Sequence, residues 1–316
     1  MKAVFLDSDG LDDLDLQPIE EVCASLRCYA TTPPKLVAQR LKGAEIVIVN
    51  KVKIGRQLLL DNPEIQLICL VATGSDVIDL AAAAECGVTV CNCQAYGTDS
   101  VVQHVFSLIL ALHTNLLNYN TAVQEGRWQR AKQFCFLDYP IIEIRGKKLG
   151  IIGFGTLGRG VARIAEAFGM EVIPCQRPGG PVDDRPTLTE ILPQVDVLTL
   201  HCPLTEWTQN IIGIKELARM KKTAVLINCA RGGLVDESAL LTVLQTGELR
   251  GAAIDVLSVE PPTHSNPLLE ARLPNLIITP HIAWASREAR HRIIEQTVEN
   301  ILAYRRQEPL RVVRAE

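Results

Sequence analysis

The sequence predicts an α/β protein with two parallel-sheet domains, and three observations carry that reading. Short apolar runs alternate with helical patterns along most of the chain, as in a parallel sheet with crossover helices. At 316 residues the chain is long for one hydrophobic core and comfortable for two. A Gly-x-Gly-x-x-Gly run (Gly153, Gly155, Gly158) falls directly between a strand-like run and a helical one.

In chain order, the first hundred residues hold the strand candidates KAVFLD (2–7), AEIVIVN (44–50), IQLICLV (65–71) and VTVCNC (88–93). Helical patterns such as KLVAQRL and IDLAAAAECG separate them. No glycine-rich loop occurs in this half. A long helical stretch at 100–126 follows, apolar on a wide face and too polar on the other for a membrane helix. It is expected to join the two halves, with His104 and His113 in structural roles. The second unit opens with KKLGIIGF (147–154), a helix at 157–169 and the strand EVIPCQ (171–176). VDVLTLHCP, KTAVLINCA, GAAIDVL and NLIITPH are its further strands. A final helix at 286–306 brings the chain end back to the first domain, so that two crossings leave an interdomain cleft.

Composition narrows the function classes. Hydrophobic residues make up 47% and charged residues 22%, the balance of a globular protein. A net charge of −4 without a basic tract argues against nucleic acid as a partner. No apolar run is long enough to span a bilayer, and the start MKAVFLDSDG lacks the apolar core of a signal peptide. The ten cysteines form no CxxC pair and read as small buried hydrophobes in a reducing cytoplasm. His201, His264, His281 and His291 show no ligand spacing, so no metal is expected.

The glycine run points to a dinucleotide. Gly153 permits a tight turn, Gly155 lets pyrophosphate approach the backbone, and Gly158 lets helix and strand pack closely. Pyrophosphate would then meet the amides of Thr156 and Leu157 at the positive end of the helix. Where an NAD site has an acidic residue after the second strand, this chain has Gln176 followed by Arg177. Gln176 removes a repulsive charge and Arg177 can pair with a 2′-phosphate, so the cofactor is NAD or NADP with a tilt toward NADP. The expected division is 99–285 as the NAD(P)-binding domain and 1–98 with 286–316 as the substrate-binding domain.

Arg231, Glu260 and His281 each stand just past a different apolar run, AVLINCA, AAIDVL and LIITP. Residues at strand ends of an open α/β sheet face the ligand crevice. There an arginine fork can bind a substrate carboxylate and polarise its carbonyl. The imidazole can exchange a proton with the reacting oxygen, and the carboxylate can orient it and favour its protonated form.

Together these segments resemble the D-isomer-specific 2-hydroxyacid dehydrogenase family over nearly the whole chain. GFGTLGRG is similar to its cofactor loop, HCPLTEWT to the stretch lining the cofactor, and INCARGGLVDE to the signature around its catalytic arginine. DVLSVEPP and TPHIAW are similar to the segments carrying its carboxylate and histidine. The resemblance implies catalytic roles for Arg231, Glu260 and His281. It places Thr156, Leu157, Gln176, Cys229, Ala230 and Asp255 against the cofactor, and Gly74 and Ser75 against the substrate carboxylate. Asn50-Lys51, Trp284 and CNCQAYGTDSV further resemble the glycerate dehydrogenase and hydroxypyruvate reductase branch, which adds Asn50 and Trp284 as substrate contacts. Hydroxypyruvate/D-glycerate is the implied pair, glyoxylate a second substrate, and a homodimer formed by the cofactor domains the implied assembly. Formate dehydrogenases of this fold carry glutamine where Glu260 stands. Two other readings are a reductase for another short 2-keto acid and a dinucleotide-sensing corepressor, the latter disfavoured by the complete triad.

Overall fold

The apolar run after Met1 becomes β1 (Lys2–Phe5), followed by α1 (Gln17–Glu21), β2 (Ser25–Cys28), α2 (Pro34–Leu41), β3 (Ile46–Val49), α3 (Arg56–Leu60), β4 (Leu67–Leu70), α4 (Leu80–Glu85) and β5 (Thr89–Cys91). The computed structural model describes residues 1–11, 13–181 and 183–315. These first elements belong to a compact unit formed by Met1–Gly97 and Ala285–Glu316, whose parallel sheet has the order β2-β1-β3-β4-β5. This is a flavodoxin-like order. Strands β3 and β4 are buried at every residue, which is why they read as unbroken apolar runs, IVIV and LICL, and not as alternation. Strand β2 was not expected. It is an edge strand, SLRC, with no buried residue, so no apolar pattern marks it.

The second unit, Thr98–Trp284, holds α5 (Thr98–Thr114), α6 (Leu116–Gln124), β6 (Lys148–Ile152), α7 (Thr156–Ala167), β7 (Glu171–Pro174), α8 (Leu188–Ile191), β8 (Val197–Leu200), α9 (Ile214–Leu217), β9 (Val225–Asn228), a 3-10 turn (Gly232–Leu234), α10 (Glu237–Gln245), β10 (Gly251–Ile254), α11 (Pro267–Ala271) and β11 (Leu276–Ile278). Its six parallel strands run β11-β10-β9-β8-β6-β7. Connections leave β6 toward β7 on one side and reach β8 on the other, so the strand order switches at β6/β8, where such sheets bind ligands. One face is packed by α5 and α7 through Val105, Ile109, Val161 and Ala165, and the other by Leu217, Leu240 and Val243. The last helix, α12 (Arg287–Arg305), starts at Ser286, whose side chain caps Ala289 N–H, and packs on β4 and α1 of the first unit.

The single helical stretch expected at 100–126 is instead two helices bent by 62° at Asn115. Asn115 takes φ 53°, a left-handed conformation that asparagine tolerates better than most residues, and its Nδ2 donates to the Pro140 carbonyl at 2.6 Å. No single described helix is long and apolar enough to cross a membrane.

Candidate active site

The glycine run sits where β6 ends. Gly153 has φ 92°, and a Cβ there would lie 2.5–2.6 Å from the backbone of His201 and Cys202, so the turn is pressed against the end of β8. A Cβ on Gly158 would collide with the Gly153 carbonyl oxygen. At Gly155 the reverse holds: nothing lies within 4 Å, and the backbone is open. Among the described residues no side chain caps α7, so the amides of Thr156 and Leu157 at the helix's positive end have no side-chain acceptor there. That seat fits a pyrophosphate. Two residues past β7, Gln176 donates its backbone N–H to the Pro186 carbonyl at 2.9 Å and its side-chain amide to the Asp183 carbonyl at 3.2 Å. Arg177 is exposed beside it, and Asp183 is engaged by Arg185.

Three neighbouring strand ends bring the second group of residues together. At the last residue of β9, Asn228 folds the chain back: its Oδ1 accepts Ala230 N–H at 3.0 Å and its Nδ2 donates to the Arg231 carbonyl at 2.8 Å. Gly232 follows, where a Cβ would strike the Leu257 carbonyl, so the turn lies directly on the segment after β10. Arg231 and Glu260 consequently line one pocket of about 220 Å³, with Leu204, Gly233 and Val256. Arg231 Nη1 donates to the Ala230 carbonyl at 2.8 Å, and its other N–H groups have no protein acceptor among the described residues. Glu260 Oε1 accepts Leu257 N–H at 2.8 Å, while Oε2 stands 2.6 Å from His281 Nδ1. Nδ1 therefore carries the proton in this pair, and Nε2 has no protein partner among the described residues.

His281 is held by its surroundings in a left-handed conformation, φ 55°. Its N–H donates to the Asp255 carbonyl at 2.7 Å, and its carbonyl accepts the Trp284 indole N–H at 2.9 Å. Asp255 is 1% exposed, and its carboxylate accepts Ile282 N–H (3.0 Å), Ala283 N–H (2.9 Å) and the Thr279 hydroxyl. His104 reaches in from α5, with Nε2 3.1 Å from the Thr279 hydroxyl. Expected as a cofactor contact, Asp255 thus lies beneath the His281 turn and shapes it, and the Trp284 indole N–H is occupied by that turn. Cys229 and Ala230 lie between β9 and Arg231, both buried, and burial pushes the Cys229 thiol far above its ordinary range, so it is protonated.

In the first unit the expected substrate residues also lie past strand ends. Asp7, after β1, accepts the backbone N–H groups of Asn50 (2.8 Å), Lys51 (2.5 Å) and Val52 (3.1 Å) after β3. Burial pushes the Asp7 carboxyl up, against the pull of these three amides. The loop after β4 is tied by Asn92, which donates to the Thr73 carbonyl at 2.8 Å, and by Thr73, which donates to the Cys93 carbonyl at 2.9 Å. No described residue accepts from the amides of Gly74 or Ser75. Asn228, Thr279 and Asp7 were missed at the sequence level. The signal was modest: a polar residue ending or directly following a wholly apolar run.

A sheet edge with a seat that fits a pyrophosphate and an imidazole beside an arginine suits the reduction of an acid-bearing carbonyl, with hydride supplied by a bound dinucleotide, which is the work of a dehydrogenase. The chain belongs to the D-isomer-specific 2-hydroxyacid dehydrogenase family, whose NAD-binding domain matches residues 106–283. It is an oxidoreductase that interconverts 2-keto acids and D-2-hydroxy acids with a nicotinamide dinucleotide. It is 45% identical to the glycerate dehydrogenase of Methylorubrum extorquens over 99% of both chains. With the hydroxypyruvate reductase of Blautia hydrogenotrophica it shares 37% identity, again over 99% of both. Among solved structures, an acyclic imino acid reductase in complex with NADPH and D-arginine superposes with a TM-score of 0.87 at 30% identity, covering 99% of this chain and 100% of that one. The Aquifex aeolicus D-lactate dehydrogenase with NAD and lactic acid gives 0.82 at 30% identity, covering 97% and 96%.

Proposed function

We propose that this enzyme reduces hydroxypyruvate to D-glycerate, reversibly, with glyoxylate as a second substrate. The observation that carries the reading is the 2.6 Å Glu260–His281 pair beside Arg231, in a chain 45% identical to a glycerate dehydrogenase. When bound, the nicotinamide supplies hydride to the keto carbon. Arg231 binds the substrate carboxylate with its planar fork and polarises the carbonyl. His281 delivers a proton from Nε2 to the oxygen that gains negative charge, and takes it back in oxidation. Glu260 holds the Nδ1 proton, which fixes the ring's orientation and compensates the positive charge the imidazole carries before transfer. Asn50, Gly74, Ser75 and Trp284 are the proposed further substrate contacts, the first three through a loop amide or side chain at a strand end.

NADP(H) is the proposed preferred cofactor, on the strength of Gln176 and Arg177 where a repelling carboxylate would otherwise stand. A homodimer formed by the cofactor-binding units is supported by Leu116, Leu117, Trp128, Phe134, Leu137 and Ile141, which are 52–89% exposed. Ten free cysteines support a reducing cytoplasmic location. The test is initial-rate oxidation of NADH and NADPH by purified enzyme with hydroxypyruvate as sole acceptor. Turnover with a higher kcat/KM for NADPH is expected. Turnover confined to another 2-keto acid would overturn the substrate assignment, and a preference for NADH would overturn that of the cofactor.

A further inference from the structure

The turn that carries His281 is tied at both flanks to a single helix. Ser100 and His104 lie four residues apart on α5 and so share one face of it. Ser100 Oγ donates to the Ala283 carbonyl at 2.7 Å, two residues after His281. His104 Nε2 stands 3.1 Å from the Thr279 hydroxyl, two residues before it. The next position in that row of α5 is Leu108, buried and apolar, and Val101, Val105 and Ile109 beside it share a core with Val225 and Ile227 of β9. The polar members of the row are thus the two that meet the turn.

The direction of the His104 bond follows from counting protons. Thr279 donates its hydroxyl proton to the Asp255 carboxylate, and a hydroxyl has only one to give. Toward His104 the same oxygen can only accept, so His104 carries a proton on Nε2. Nε2 also lies 3.5 Å from Asp255 Oδ1. The chain of donors His104, Thr279, Asp255 therefore ends on the carboxylate that accepts the N–H groups of Ile282 and Ala283. A residue in the left-handed region keeps its direction only while its surroundings hold it, and here the outermost of those holds begins on α5.

We propose that His104 is a positioning residue for the proton transfer. It acts through Thr279 and Asp255 to fix the direction in which His281 presents Nε2, while the Ser100 bond keeps α5 in place against the turn. The proposal rests on the reading of His281 as the proton donor. A misplacement of about 1 Å at a reacting group can cost about a hundredfold in rate, so the loss of one outer support is expected to cost less.

Reduction of hydroxypyruvate and of glyoxylate by NADPH is measured for wild type, H104L, H104Q, T279V, H281A and H104L/H281A. H104L keeps the bulk and loses the N–H donor. Its kcat should fall about tenfold, with both KM values within about twofold of wild type. Its solvent deuterium isotope effect on kcat should exceed that of wild type, because proton transfer has become the slower step. H104Q, whose amide can still donate to Thr279, should recover most of the loss. T279V breaks the same bond from the other side and should lose at least as much as H104L; where H104L does not fold, T279V and T279V/H281A give the same comparison. Once His281 is gone, H104L should cost nothing further, since His104 acts only through it. If H104L slowed H281A by the factor it slows wild type, or if its own kcat matched wild type, the positioning role would be wrong. If H281A turned over as wild type does, the proton-donor reading would be wrong instead, and the proposal would fall with it.

Discussion

His281 occupies a left-handed backbone position, φ 55°, that few non-glycine residues adopt, and every hydrogen bond around it opposes relaxation. Asp255 accepts from its N–H through the main chain and from the next two residues through the carboxylate, while Trp284 donates to its carbonyl. This clamp aims the imidazole at Glu260 and leaves Nε2 without a protein partner among the described residues. Replacing His281 with alanine should lower kcat/KM by about 10²–10⁴-fold, the span of a lost general acid. Calorimetry should find NADPH affinity unchanged; near-wild-type turnover would remove His281 from the proton transfer. Arg231, Glu260 and His281 were legible as candidates in the chain because each stands within three residues of the end of an apolar run. Their supports were not. His104 meets Thr279 across 175 residues of sequence, a partnership no local pattern encodes.

At the scale of elements, what positions a loop is the strand beside it and not the strand before it. β1 and β3 are neighbours in the sheet, so Asp7 at the end of one can hold Asn50–Val52 at the end of the other. Asp7→Asn would leave one acceptor oxygen for three N–H donors and place an amide NH₂ among them. That should cost about 1–3 kcal/mol of stability, measured by urea unfolding. If Asn50 touches substrate, the same variant raises hydroxypyruvate KM and leaves NADPH affinity alone; an unchanged KM would detach this loop from the substrate. Ten of the eleven strands among the described residues were legible as apolar runs, and β2 was not, since an edge strand with no buried residue needs no apolar side chain. The break at Asn115 was hidden for a related reason. The apolar stripe continues through it, and the bend is made by one backbone conformation and a bond to Pro140.

Across the whole molecule, acid sensitivity follows from a histidine outside the Arg231–Glu260–His281 group. Burial pushes the His201 imidazole down from 6.5 to about 4; its Nε2 pairs with the Thr199 hydroxyl at 3.0 Å, and its Nδ1 has no partner among the described residues. The folded chain thus keeps His201 neutral while the unfolded chain takes up a proton below pH 6.5. Its contribution to stability is fully present above pH 6.5 and is lost progressively down to about pH 4, at about 1 kcal/mol per pH unit. His113, also lowered by burial, acts in the same direction. Urea midpoints of wild type should fall between pH 7 and 5, and H201Q should show a shallower fall; parallel curves would rule His201 out.

The sequence alone determined the two parallel-sheet units, the glycine-braced turn and the three polar side chains past the strand ends. Each of these is written in residues adjacent along the chain: apolar runs, a glycine spacing, a polar residue after a strand. Tertiary structure alone decided that Asp255 lies beneath the His281 turn, that Ser100 and His104 meet the flanks of that turn, and that Asp7 holds the Asn50 loop. Those relations join segments far apart in sequence. They exist only once strand order has set which ends are neighbours, because hydrogen bonds and van der Waals contacts act over a few ångströms of space and are blind to separation along the chain.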